Sequence, residues 1–161
     1  MTLPWYAMAV AALRWFQAAL FCQIVLLFTW VTTEVVDLFP WNDLVSRPLT
    51  YDLNQSIAVN VLPQLAFIGI FALGVRWIAV LPAMGYAVYL IVQLWIWWVP
   101  YAIGADPEWQ AFYTEAFART INVLPSSGVH LAPDVQHLAL QALTILALMV
   151  TAKAATLIRH L

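Results

Sequence analysis

Four stretches of this chain carry no Asp, Glu, Lys or Arg: residues 15–33, 53–75, 77–105 and 135–152. At 1.5 Å per residue, about 20 apolar residues cross the roughly 30 Å hydrocarbon core of a bilayer, and each stretch is of that order. A single such run is compatible with a buried helix of a soluble protein. Four in succession, with no soluble-sized segment between them, predict an integral membrane protein. The expected fold is all-α: a polytopic membrane protein built as a four-transmembrane-helix bundle with a short outer interfacial helix. It forms a single domain over 1–161, with spans at about 5–36, 53–75, 79–99 and 134–156.

Segments 37–52 and 101–133 are expected to form a cap on one side of that bundle. Pro40 and Pro48 argue against a helix in the first, and Phe39 and Trp41 are expected to rest at the membrane surface. Pro100 is expected to end the third span, beside Trp95, Trp97, Trp98 and Tyr101, whose amphipathic rings favour the interface. Within 107–121, Trp109, Phe112, Tyr113, Ala116, Phe117 and Thr120 follow the spacing of one helix face. That pattern predicts the short interfacial helix, lying along the membrane or capping the bundle, with Glu115 and Arg119 as an i, i+4 pair. Pro133 and Asp134 suit the start of the last span.

Composition strengthens the membrane reading. Charged residues make up 9% of the 161, against about 25% in soluble domains, while 65% are hydrophobic. The distribution of those few charges adds direction. All eight acidic residues fall within 34–52 and 106–134, whereas Arg14, Arg76, Lys153 and Arg159 lie outside both windows. The positive-inside rule then predicts cytoplasmic N- and C-termini and extracytoplasmic longer loops. No Lys, Arg or small-residue cleavage site marks a signal peptide before the first span, which is expected to remain as an anchor. Cys22 is the only cysteine, which excludes an internal disulfide and a thiolate metal cluster. No basic cluster suggests nucleic acid.

Polar side chains within spans are costly in hydrocarbon and turn toward the bundle interior. Counted from the acid-rich ends, Asn60, Gln93 and Gln141 lie at similar depth, with Gln23 and Gln64 deeper and His137 one turn above Gln141. The spacing therefore predicts an outer-half polar layer to which every span contributes an amide. It serves either as interhelical glue, the amides bonding one another, or as a ligand pocket rimmed by Trp97 and Trp98. His130, Asp134 and His137 are weak candidates for a metal site, and His137 with Asp134 weak candidates for acid/base chemistry. Glu34, Asp37 and Asp43 form an acidic mouth within reach of Arg47 and Arg119.

The leading functional expectation is a small, non-catalytic membrane protein. It would bind a lipophilic ligand or a neighbouring membrane protein, or self-associate, through the polar layer and aromatic rim. A membrane-embedded enzyme acting on a lipid-soluble substrate through His137 and Asp134 is the alternative, and an oligomeric transporter or channel subunit a third. No Asp, Glu, Lys or Arg lies in mid-span to couple ions, which weighs against the third. The sequence names no cofactor.

Overall fold

In a computed structural model, which describes residues 5–49, 51–117 and 119–160, the chain is helical throughout its long elements. The helices are α1 (Trp5–Val35), α2 (Leu53–Ala72), α3 (Leu81–Ile103), α4 (Pro107–Ala116) and α5 (Val135–Arg159). Four of them, all but α4, are long and apolar enough to cross a membrane, and the chain is an integral membrane protein built as a four-helix bundle. Both described chain ends lie at one end of the bundle. Residues 36–49, 104–117 and 119–134 gather at the other, hereafter the capped end.

How α1 stops decides what the capped end looks like. No Gly follows Val35 to take the left-handed turn that commonly satisfies the last carbonyls of a helix. Side chains of the following loop do so instead. Asn42 Nδ2 donates to the carbonyls of Thr33 (2.7 Å) and Val36 (2.9 Å), while its Oδ1 accepts from Leu38 N–H. The Arg47 guanidinium donates to the carbonyls of Glu34 (3.3 Å) and Thr33 (3.2 Å), placing a cation at the negative end of the helix dipole. The loop is thereby folded back over the bundle.

α2 begins on the Asp52 carboxylate, which accepts from Asn54 and Gln55 N–H, and then widens into a π-helical turn at Ile57–Val61. Pro63 explains that turn. It has no N–H, and its ring clashes with the carbonyl four residues back, so the ladder shifts by one and Leu62 N–H reaches Ile57 O. α3 runs past the expected stop at Pro100 and ends at Ile103. Packing outweighs the proline there: Trp97 stacks against the cap and Trp98 hydrogen-bonds α5, which holds the last turn helical. Gly104 ends it with φ of 97°, and a Cβ at that position would come within 2.9 Å of Val129, so only glycine fits. The cap helix α4 is shorter than its pattern suggested, ending at Ala116, and it caps the bundle. Its Tyr113 and Ala116 are buried, and Tyr113 joins Trp97 and Leu131 in one apolar cluster.

α5 is the most buried span, and α1 and α3 pack against it. Its inward face carries small residues, Ala147, Thr151, Ala154 and Ala155; Ala154 and Ala155 cluster with Ala19 of α1, and Ala147 with Leu26. In lipid, where apolar burial between helices gains little, such residues let two backbones approach closely enough for dispersion to hold them. Gln23 of α1 donates to Thr151 at 2.8 Å, locking the register of the pair. Phe67 of α2 lies over Gly85 of α3, where no side chain stands in its way, and meets Tyr86 edge-on at 5.0 Å.

Asn42 satisfies two carbonyls and one N–H, so replacing it should cost more than a typical surface substitution. Asn42→Ala is expected to lower stability by about 1–3 kcal/mol. Asn54→Ala, at an exposed side chain, is expected to change it by less than about 0.5 kcal/mol. Thermal loss of helical circular dichroism in detergent measures both; equal melting temperatures would show that the loop does not secure α1.

Candidate functional site

The folded-back loop, the cap and the ends of the four spans enclose a cavity of about 200 Å³. α1 contributes Trp30 and Glu34, and the loop contributes Asn42, Asp43, Arg47 and Tyr51. Ser56 and Asn60 come from α2, while α3 supplies Tyr89, Val92, Gln93, Ile96 and Trp97. Phe112, Ala116 and Phe117 close it from the cap, and Gln136, His137 and Leu140 from α5. A 150 Å³ apolar cavity accommodates benzene, so this space suits a ring or a compact head group.

Two ion pairs and one carboxylate–imidazole bond frame it. Glu34, almost fully buried, meets Arg47 at 3.0 Å and also accepts from the Tyr51 hydroxyl, while Arg47 lies 4.4 Å from the Tyr51 ring centre. Burial, followed by that bond to Glu34, pushes the Tyr51 hydroxyl up to about 12, so it stays protonated at neutral pH. Asp43 meets Arg119 at 2.6 Å across 76 residues of chain. Burial alone would raise its carboxyl, but the bonds from Arg119 and Ser46 outweigh that and hold it below the ordinary 3.8. Asp134 has no exposed surface. It caps α5 through His137 N–H (2.9 Å), accepts from the Thr120 hydroxyl (3.1 Å) and bonds His137 Nδ1 at 2.6 Å. Its burial also acts upward, and the charge and bonds of His137, with Thr120, outweigh it and lower the carboxyl.

The His137 ring is held on its other sides as well. Trp97 lies across it with centroids 3.8 Å apart, and Phe117 meets it edge-on at 5.2 Å. Since Asp134 occupies Nδ1 and the residue lines the cavity, Nε2 is the nitrogen left for the cavity.

The residues expected to form one polar layer divide. Asn60, Gln93, His137 and Trp97 line the cavity. Gln64, Gln141 and Trp98 stand beside it without lining it: Gln64 donates to Asn60 O at 2.8 Å, and Gln141 accepts from Trp98 Nε1 at 2.9 Å. Gln23 belongs elsewhere. Its partner Thr151 is about 24 Å along α5 from the capped end, so α1 supplies no amide to the layer. Nor do the amide side chains bond one another among the described residues. Tyr89 donates to Asn60 Oδ1 at 2.9 Å and Gln93 to Thr144 at 3.0 Å, hydroxyls being the compact partners a tight helix pair admits.

Arg119 turns to Asp43 and not to Glu115. His130, Asp134 and His137 are not drawn into a metal cluster: no such group of three occurs among the described residues. His130 is exposed with its ring on the Tyr101 carbonyl. Trp30, Tyr89 and Gln136 line the cavity and carried no sequence signal, because the wall is assembled from six separate segments. Comparison with protein-family models, curated proteins and solved structures returned no match, so the chain's own residues carry the functional argument.

Both carboxylates, Asp43 and Asp134, sit below their ordinary value when folded. Their stabilisation is therefore complete above about pH 4 and is lost as pH falls through the depressed folded values. The melting temperature is expected to fall as the pH is taken below about 4. Arg119→Met is expected to lower it at pH 7 and to flatten the acid fall, since Asp43 then keeps the burial and loses its cation. An unchanged acid profile in that variant would remove Asp43 from the account.

Proposed function

We propose that this protein is a small, non-catalytic membrane protein whose capped-end cavity binds the head of a lipophilic small molecule. The observation that carries this reading is the wall itself. Trp30, Tyr89, Trp97, Phe112 and Phe117 offer ring faces, and a few polar groups converge among them, which is the usual make-up of a small-molecule site. Glu34, Asp43 and Asp134 each already have a partner, which supports recognition over ion conduction. α2 and α3 expose broad apolar faces that suit lipid or a neighbouring membrane protein.

The proposed orientation puts both termini in the cytoplasm and the cavity on the extracytoplasmic side. It rests on Arg14, Arg76, Lys153 and Arg159, all away from the capped end. A green fluorescent protein fused to the C-terminus is expected to fluoresce, which it does only when folded in the cytoplasm; a dark fusion that reaches the membrane intact reverses the assignment.

One observation favours a second reading. The 2.6 Å Asp134–His137 bond fixes an imidazole at the cavity wall, as an enzyme would require of a general base acting on a lipid-soluble substrate.

Native mass spectrometry of the detergent-extracted protein separates the two. The wild type is expected to carry a small molecule that is lost in Ala116→Phe, which fills the cavity, while helical content is retained. On the binding reading, His137→Phe retains a molecule of the same mass, if less of it; on the enzymatic reading it retains a different one, the unconverted substrate. Equal retention by wild type and Ala116→Phe would sink both.

A further inference from the structure

The cavity's polar groups differ in whether they are already engaged, and this difference narrows the ligand. Arg47 is spent on Glu34 and on two helix carbonyls, and Arg119 on Asp43, so no uncompensated cation faces the space. An anionic head would be desolvated there without a partner. On α5, two polar groups remain open toward the cavity. Gln136 is more than nine-tenths buried, lines the cavity, and makes no side-chain hydrogen bond to another described residue. His137 offers Nε2.

The Asp134 carboxylate only accepts, so the short bond to it uses the proton of His137 Nδ1 and leaves Nε2 for the cavity. Trp97 and Phe117 prevent the ring from turning away, and Asp134 is itself held by Thr120 and the start of α5. A fixed ring nitrogen beside an unpaired amide that itself donates and accepts, between ring faces, asks for a group that does both.

Building on the binding reading, we infer that the cavity selects a neutral, ring-bearing lipophile with a hydroxyl. The hydroxyl hydrogen-bonds His137 Nε2 and the Gln136 amide. Its ring occupies the space between Trp97, Phe112 and Phe117. A phenol or a hydroxylated polycyclic lipid belongs to this class; fatty acids and phosphorylated lipids do not.

Equilibrium dialysis of the full chain in detergent, against protein-free micelles, tests this with three probes on one ring system: naphthol, methoxynaphthalene and naphthoate. Naphthol is expected to bind about tenfold more tightly than methoxynaphthalene, which keeps the ring and the oxygen but cannot donate, and more tightly still than naphthoate. His137→Phe, which keeps a ring against Trp97, is expected to erase the advantage of naphthol over methoxynaphthalene. The comparison of probes on the wild type stands even if that variant does not fold. Methoxynaphthalene or naphthoate binding as tightly as naphthol overturns the inference and leaves the cavity reading intact. If none of the three binds, or if Ala116→Phe binds all three like the wild type, the cavity reading falls as well.

Discussion

The bonds that Asn42 and Arg47 send back to the end of α1 are what the rest of the capped end depends on. They satisfy carbonyls that a membrane helix cannot leave bare at its buried edge, and they set the loop over the bundle. Asp43 is next in that loop, and its grip on Arg119 draws in the segment that follows α4. Backbone bonds continue the chain of attachment: Ile121 N–H to Pro40 O, then Val135 N–H to Ile121 O at the start of α5. Loop, cap and last span are thus coupled through a few contacts of high sequence separation. Glu34 gains its burial from the same arrangement, and a buried carboxylate deprived of its arginine would cost about 3–5 kcal/mol.

The bundle below is held by different means. Hydrogen bonds between spans, such as Gln23–Thr151 and Gln93–Thr144, are each worth about 0.6 kcal/mol on average in a membrane. They are too weak to assemble four helices, and their role is to set register. The close approach of α1 and α5 through alanine and threonine supplies the attraction. Stability thus resides mainly along α5, while α2 and α3 enclose the cavity with much less of their surface buried. On the proposed reading, a site bordered by the less anchored spans has room to adjust around its occupant.

The spans were legible because hydrocarbon thickness imposes a length and forbids charge, and both constraints act on sequence directly. The helix of the cap was legible for a similar reason, since one face repeats every three or four residues. What the chain hid were pairings decided by position in space. Arg47 and Arg119 were within reach of the acidic mouth by sequence, but which arginine meets which carboxylate, and that Glu34 is buried, is not marked by their spacing. The stop at Pro100 was misread because local preference was weighed without Trp97 and Trp98, whose packing is tertiary. Four of the eight expected ligand-binding residues line the cavity, because depth along a span is readable while rotation about its axis is not. Gln136 went unnoticed beside His137, as a residue facing a void has no partner to betray it.

Val92 and Ile96 belong to the cavity wall and are also exposed on the outside of α3, at 47% and 42%. The cavity wall and the outer face of α3 therefore share side chains. On the proposed reading, this makes the bilayer the reservoir from which the site is filled. Each methylene on a ligand's tail raises its lipid-to-water ratio by about fourfold, from about 0.8 kcal/mol of transfer free energy. A molecule scarce in water is then abundant a few ångströms from the wall. The protein need only discriminate among head groups, since the membrane has already done the concentrating.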